Sequence, residues 1–225
     1  MFGDNPIRGL EKGDGSSLFV QSIFPTFQGE GPYVGWPSIF IRLGGCNLAC
    51  SFCDTEFESF KEVSLVDVLA KTDELSGRAG DAFTHKLVVI TGGEPLRQPI
   101  ATLCDELIKN GYKVQIETNG TLYRDLHKDV DIVCSPKNTG NGYHIIREDL
   151  LKRINAFKFI ISAHDKLYSD VGDVGQCVND TPVYVQPMDE CDAVKNKENL
   201  ALAMDIATKG GNRLCIQMHK VVGIE

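Results

Sequence analysis

The sequence predicts an α/β fold, an incomplete (partial) barrel of the TIM type with about six parallel strands and a reduced set of helices. Its 225 residues contain six short, near-continuous apolar runs, and helical patterns lie between only some of them. Runs of this kind are typical of parallel strands covered on both faces. Polar or glycine-rich motifs follow five of the runs. Because function in such sheets gathers at the carboxyl ends of strands, we expect one pocket there.

The strands follow one another at uneven intervals. A flanking strand LFVQSIF (18–24) precedes the six runs, and a second flanking strand RLCIQM (213–218) follows them. The alternation of strands with helical patterns favours a mainly parallel sheet. The six runs are SIFIRLGG (38–45), KLVVITGG (86–93), YKVQIETNG (112–120), VDIVCSPK (130–137), AFKFIIS (156–162) and VYVQPM (183–188).

Three helices are predicted between the strands. Apolar residues from Ile100 to Ile108 recur at helical spacing, and the sequence NGY ends that helix. Similar patterns mark helices around residues 65–69 and 200–207, and the second of these ends at KGG. The segment TLYRDLHKD, between the third and fourth runs, is too short for a helical crossover. The barrel should therefore lack some of its helices.

Composition and charge restrict the partners. A hydrophobic fraction of 42% and a charged fraction of 24% are those of a globular protein. No apolar run is long enough to span a bilayer, and the polar, glycine-rich start is no secretory signal, so we expect a cytoplasmic protein without a membrane partner. A net charge of -8 argues against nucleic acid and favours a small-molecule substrate. We expect a flexible N-terminal extension over residues 1–17 and a single domain over residues 18–225.

Three of the eight cysteines are clustered in LGGCNLACSFCDT, as Cys46, Cys50 and Cys53. Disulfides are disfavoured in the cytosol, so the cluster indicates metal or redox chemistry, while the other five are expected to be isolated thiols. A structural zinc site needs four ligands, and the nearest following histidine is the distant His85. An electron-transfer cubane also needs four thiolates. Three thiolates leave one iron open to an exchangeable ligand, which suits a catalytic cluster.

The cysteine spacing, with Phe52 before the last cysteine, resembles the motif of the radical S-adenosylmethionine (SAM) enzymes, and TGGEP (91–95) is similar to their second hallmark. TGGEP by itself could also be an ordinary turn. The resemblance implies one [4Fe-4S] cluster held by three cysteines, with SAM on the open iron. It also implies an external reductant such as flavodoxin, because the cluster must reduce the sulfonium. Gly92 and Gly93 would let the backbone approach the methionine, and Glu94 would accept its ammonium.

A narrower resemblance covers the chain from about residue 18 to its end. The stretch FPTFQGEGPYVGWPSIFIRLGGCN (24–47) is similar to the start of the 7-carboxy-7-deazaguanine synthase family. That family converts 6-carboxy-5,6,7,8-tetrahydropterin to 7-carboxy-7-deazaguanine with loss of ammonia, on the route to queuosine and other 7-deazapurines. The implied substrate-binding residues are Phe27, Gln28, Gly29, Glu30, Arg42, Thr91, His219 and Glu225.

The same resemblance implies a magnesium ion and a set of SAM contacts. Thr55 would be the Mg²⁺ ligand, although an Asp-Thr pair is more often a cap. Arg42 suits a substrate carboxylate but could equally be a structural arginine, and Lys137 could be an ion-pair partner. The implied SAM-binding residues are Gly92, Gly93, Glu94, Glu117, Ser135, Pro136, Lys137, Gln186, Pro187, Met188 and Asp189.

The closing segment QMHKVVGIE is similar to the end of that family's sequences, which implies that His219 and the Glu225 carboxylate lie at the substrate. A chain end is usually frayed, but this one is apolar enough to pack. The family resemblance also implies a homodimer. Two alternatives stay open: an activase of glycyl-radical enzymes, and a non-enzymatic zinc or iron-sulfur module. Residues 163–181 contain no motif that we can assign.

Overall fold

The computed structural model describes residues 5–79 and 82–224. In this part of the chain nine strands form one sheet, in the order β3-β1-β2-β4-β5-β6-β7-β8-β9. The strands are β1 (Ser17–Phe27), β2 (Pro37–Leu43), β3 (Lys61–Ser64), β4 (Leu87–Gly92), β5 (Lys113–Thr118), β6 (Asp131–Cys134), β7 (Ile154–Ile161), β8 (Val183–Pro187) and β9 (Arg213–Leu214).

The six predicted runs form the parallel core. Strands β2, β4, β5, β6, β7 and β8 pair in parallel, each with the next. The sheet is open, because β3 and β9 are its two edges. Strand β1 is antiparallel to both β2 and β3. The incomplete barrel with flanking strands is therefore confirmed.

The predicted last strand is wrong beyond Leu214. Strand β9 has only two residues, paired in parallel with β8. The chain then turns toward the end of β1, where the Met218 backbone N–H donates to the Gly29 carbonyl at 3.1 Å. A short helix follows at once. The Cys215 N–H still donates to the Val185 carbonyl of β8 at 2.9 Å, and the contact with Gly29 then replaces the rest of the predicted strand.

Five α-helices lie in the described ranges, and three of them were predicted. None of these helices has the length and apolar character needed to cross a membrane. Helix α3 and helix α5 span about one turn each, which is too short for periodicity to reveal. No helix joins β5 to β6 in the described chain, as predicted. The helices are α1 (Leu65–Leu75), α2 (Ala101–Lys109), α3 (Glu148–Leu151), α4 (Ala193–Gly210) and α5 (Met218–Val222).

Strand alternation separates the hydrophobic core from the interior of the barrel. On β2, Ile39 and Ile41 are fully buried in the main core, whereas Phe40 and Arg42 line a cavity. Successive side chains on a strand point to opposite faces, so the same division recurs on the neighbouring strands. On β7, Lys158 and Ile160 line that cavity. A second small core of Val133, Ala156, Tyr184 and Cys215 fills the barrel interior at other inward positions.

The first described residues pack against the cysteine segment. The Arg8 backbone N–H donates to the Cys46 carbonyl at 2.7 Å. The fully buried Arg97 guanidinium donates to the Gly9 carbonyl and, at 2.6 Å, to the Glu11 carboxylate. Residues 5–16 thus make specific contacts where the sequence predicts a loose arm. The first four residues lie outside the described ranges, and the domain boundary at residue 17 stays a prediction.

Candidate active site

A cavity of about 510 Å³ lies at the carboxyl ends of the parallel strands. It contains most of the predicted site residues, brought together from six strand ends and the C-terminal segment. Those that line it are Phe27, Gln28, Glu30, Arg42, Cys46, Cys50, Cys53, Thr55, Thr91, Gly92, Gly93, Glu117, Ser135, Lys137, Gln186, Pro187, Met188, Asp189 and His219. Gly29, Glu94 and Pro136 lie outside the lining. Glu225 lies outside the described residues.

Gly92 and Gly93 are required by a close approach within the protein itself. A Cβ on Gly92, which has φ of 120°, would lie 2.1 Å from the Leu43 carbonyl oxygen. A Cβ on Gly93 would lie 2.0 Å from the Gly45 carbonyl oxygen. The Gly93 N–H donates to the Leu43 carbonyl at 3.0 Å. The end of β4 therefore packs directly on the segment that leads into the cysteines, a reason that the resemblance did not suggest.

Glu94 joins two loops of the site. Its carboxylate is fully buried and accepts from the Leu96 N–H at 2.9 Å, the Thr118 hydroxyl at 2.7 Å and the Asn119 N–H at 2.7 Å. Burial raises the pKa of Glu94. The carboxylate thereby positions the end of β5 beside the end of β4. Its predicted contact with the SAM ammonium stays a prediction.

Cys46, Cys50 and Cys53 are free thiols that border the same cavity. Burial raises the pKa of the Cys46 thiol to about 12. Within residues 5–79 and 82–224, no three His, Cys, Asp or Glu side chains are grouped to hold a single metal ion. A [4Fe-4S] cluster requires a different arrangement from a single ion, because each thiolate binds a separate iron and the cysteines surround the cluster. Three free thiols that border one cavity are compatible with that arrangement.

An aromatic contact links the cysteine segment to the unassigned residues 163–181. The ring of Tyr168 packs edge-on against Phe52, with centroids 4.8 Å apart. The Tyr168 hydroxyl donates to the Asn138 carbonyl at 2.8 Å and accepts from the Asn138 N–H at 3.0 Å. Asn138 directly follows Lys137, whose ammonium donates to the Ser135 hydroxyl at 2.7 Å. The unassigned segment therefore supports two loops that line the cavity.

A buried ion-pair network lies inside the barrel. Lys158 is 5% exposed, and its ammonium contacts the carboxylates of Glu30 and, at 2.8 Å, Glu117. Lys158 was not among the predicted site residues, because its run has the pattern of an ordinary strand. The signal that could have identified Lys158 was its charge at an inward-facing position of an otherwise apolar run.

The C-terminal segment borders the cavity and is held there by polar contacts. The Lys220 ammonium donates to Asp54 at 2.7 Å and to Asp189 at 2.8 Å. The side-chain amide of Gln217 donates to Glu30 at 3.0 Å. Gln217 and Lys220 flank His219 in the closing motif but were given no role. They connect this segment to the cysteine segment, the end of β8 and the loop after β1.

His219 reaches the cavity because Gly29 has no side chain. A Cβ on Gly29 would lie 2.2 Å from His219 Nδ1. Burial lowers the pKa of His219. Gly29 therefore serves the site by leaving room for the imidazole, without itself bordering the cavity.

Arg42 and Thr55 border other parts of the cavity. Arg42 is aligned with Thr91 across the β2–β4 ladder, and its guanidinium lies over the Phe24 ring, 5.0 Å from the centroid. The Thr55 hydroxyl donates to Asp54 at 3.3 Å. Both side chains are thus placed within the same cavity as the thiols.

Comparison with known proteins agrees with this architecture. The Radical SAM superfamily matches residues 40–169, and the chain belongs to that superfamily. Over 225 residues it is 58% identical to a 7-carboxy-7-deazaguanine synthase of Rickettsia prowazekii (strain Madrid E), covering 100% of this chain and 96% of that protein. A protein of the same name from Rhodospirillum rubrum is 42% identical, with 100% of both chains covered.

A solved structure, the crystal structure of QueE from Escherichia coli, superposes with a TM-score of 0.70 and 28% identity, covering 90% of this chain and 95% of that chain. Within the radical SAM superfamily, the chain belongs to the 7-carboxy-7-deazaguanine synthase family. The predicted resemblance is confirmed, and with it a radical SAM enzyme that uses a [4Fe-4S] cluster and SAM.

Proposed function

We propose that this chain converts 6-carboxy-5,6,7,8-tetrahydropterin to 7-carboxy-7-deazaguanine and ammonia. The observation that supports this is a single cavity bordered both by the three thiols and by Gln28, Glu30, Arg42 and His219. The residues proposed to bind the cofactor and those proposed to bind the substrate therefore border one space. The cavity volume of about 510 Å³ is of the size that holds a small ligand.

Cys46, Cys50 and Cys53 would hold the cluster. When bound, the cluster and SAM would supply reversible abstraction of a hydrogen atom from the substrate, initiated by one electron from an external reductant. The chain's own residues bind and orient. Backbone at Gly92 and Gly93 forms the wall beside the thiols, and Ser135, Lys137 and Gln186 border the same space.

The substrate carboxylate is assigned to Arg42, whose planar fork matches a carboxylate. Carboxylates at the other side of the barrel suit the donor-rich aminopyrimidinone end of the pterin. Gln217 and Lys220 hold the C-terminal segment against the cavity, next to His219. No strong general base is required of any side chain in hydrogen abstraction.

The decisive experiment is an anaerobic assay of the reconstituted protein. With SAM, dithionite and 6-carboxytetrahydropterin, mass spectrometry should detect 7-carboxy-7-deazaguanine, without consumption of SAM in proportion to product. Cleavage of SAM without conversion of the carboxypterin would show that the substrate is misassigned. An activase of glycyl-radical enzymes would instead generate a radical on a protein backbone. The comparison is therefore the same assay with a glycyl-radical protein in place of the carboxypterin.

We also propose a Mg²⁺ ion bound through the Thr55 hydroxyl, with substrate oxygens and water completing its octahedron. Thr55→Ala should remove the stimulation of turnover by added Mg²⁺, because the side-chain oxygen is lost. Thr55→Ser keeps the hydroxyl and should keep the stimulation. The measurement is the ratio of rates with Mg²⁺ and with chelator. An unchanged ratio in Thr55→Ala would show that the metal has another ligand.

The remaining partners stay predictions of the sequence and the family. An external reductant of the flavodoxin class supplies the electron, and the enzyme acts as a homodimer in the cytoplasm. A membrane or a nucleic acid is not proposed as a partner.

A further inference from the structure

Lys158 is a buried cation that borders the cavity and belongs to no motif. It lies on the inward face of β7, beside the small interior core that contains Ala156. Its ammonium contacts one carboxylate oxygen of Glu30 and one of Glu117. Burial alone would lower the pKa of Lys158, but the two carboxylates raise it above its ordinary value. The ammonium is therefore a fixed positive charge.

The two carboxylates are further held by amides. The other oxygen of Glu117 accepts from Gln28 at 3.0 Å and from Gln115 at 3.2 Å. The other oxygen of Glu30 accepts from Gln217 at 3.0 Å. Glu30, Glu117 and Lys158 come from the loop after β1, the end of β5 and the middle of β7. Lys158 is the only charged partner that both carboxylates share among the described contacts.

The charges of this group do not cancel. Two carboxylates and one ammonium leave one net negative charge in a buried site. A carboxylate offers only acceptors, and the ammonium that both share offsets the repulsion between their charges. The pair thus presents acceptors alone, which is the character that an N–H-rich ligand edge requires.

The cation for the substrate carboxylate is on a different strand. Arg42 is on β2, and Lys158 is on β7, with β4, β5 and β6 between them in the sheet. The cavity therefore has a guanidinium on one side and a pair of acceptors on another. A carboxypterin has the same division, with its carboxylate at one end of the ring system and its amino and ring N–H donors at the other.

We propose that Lys158 is a positioning and specificity-determining residue, which holds Glu30 and Glu117 as paired acceptors for the 2-amino and ring N–H edge of a pterin. This inference rests on the proposed function, and it assigns Glu117, which the family resemblance implied as a SAM contact, to the pterin instead. Lys158 acts through the two carboxylates and takes no part in bond breaking. It sets which end of the heterocycle lies beside β7.

The test compares two ligands on the holoenzyme with SAM present and reductant absent, so that no turnover occurs. The first ligand is 6-carboxytetrahydropterin, and the second is the same molecule without its 2-amino group. The wild type should prefer the first by on the order of 100-fold in Kd, because the acceptors would otherwise lack their donors. Lys158→Met should reduce the preference below about fivefold.

Lys113→Met is the matched control. Lys113 pairs with Asp131 at 2.7 Å, at the start of β5 and outside the cavity lining. This variant should keep the wild-type preference. A purely structural role for Lys158 would weaken both ligands equally, so the ratio of the two Kd values distinguishes positioning from stability.

Glu30→Gln provides a second route if Lys158→Met does not fold. It exchanges an acceptor for a donor without changing size and should also reduce the preference for the 2-amino ligand. If either variant folds and still prefers the 2-amino ligand as strongly as the wild type does, the inference is overturned and the proposed function stands. A wild-type holoenzyme that binds neither ligand would contradict the proposed function, and the inference with it.

Discussion

Gly93→Ala is expected to lower the rate of SAM cleavage by about a hundredfold or more, since a shift of about 1 Å at a reacting site has effects of this size. The new Cβ would lie 2.0 Å from the Gly45 carbonyl oxygen and 2.9 Å from the Cys46 backbone nitrogen. Both neighbours are backbone atoms, so neither can rotate away. The end of β4 and the cysteine segment must separate. The measurement is 5′-deoxyadenosine formation with dithionite.

Gly9→Ala is the matched control for this substitution. Gly9 also lies in the segment beside Cys46, but a Cβ there would meet no atom within 4 Å, and its backbone is not left-handed. Cleavage by Gly9→Ala should equal that of the wild type. Iron content, measured in both variants, reports whether the cluster site survives. A Gly93→Ala enzyme with full iron and the wild-type rate would show that the close packing has no catalytic importance.

Lys220→Met is expected to raise the KM for the carboxypterin by about tenfold. It removes two hydrogen-bonded ion pairs, to Asp54 and Asp189. Each partly exposed pair is worth up to about 1 kcal/mol, and about 1.4 kcal/mol corresponds to a tenfold change. Because these pairs hold the C-terminal segment, and with it His219, against the cavity, their loss should weaken substrate binding.

The pH dependence of the change in KM follows from the ionisation of the Lys220–Asp189 pair. The hydrogen bond from Lys220 is the largest of the interactions that lower the pKa of Asp189 to about 2. A carboxylate whose pKa is lowered in the folded protein stabilises its contact at pH values above the unfolded pKa. This stabilisation is lost as the pH falls through the folded pKa. The KM ratio of variant to wild type should therefore be constant across about pH 6 to 9.

Lys209→Met is the comparison variant, because it removes an exposed pair with Asp205 on α4. Its KM should match that of the wild type. A Lys220→Met enzyme with an unchanged KM would show that these pairs are not needed to hold the C-terminal segment for substrate binding.

Local patterns predicted much of this molecule. The six apolar runs identified the parallel core, because burial on both faces leaves an unbroken apolar stretch that is visible in a short window. The cysteine spacing and TGGEP were likewise readable, since each motif is formed by neighbours in the chain. Helix α4 was predicted because its apolar periodicity runs to the KGG stop, where Gly211 takes the left-handed conformation.

The failures involve residues whose partners are remote. Lys158 lies 128 positions from Glu30, and Gln217 lies 187 positions from the same carboxylate. Neither contact leaves a trace in the spacing of nearby residues. The predicted strand over residues 213–218 ends early, at Leu214, for the same reason, because the chain leaves β8 to meet Gly29. The docking of residues 5–16 also depends on Arg97, far along the chain.

Residue spacing and alternation therefore establish which strands form and which residue types reach the mouth of the barrel, since both depend on backbone geometry over a few residues. Contacts between distant segments establish how those residues are used. They direct the Glu94 carboxylate to Thr118 and Asn119, make Gly92 and Gly93 necessary for packing, and join Glu30 to Glu117 through Lys158. The physical reason is that buried charges need partners, and in this fold the partners come from separate strands.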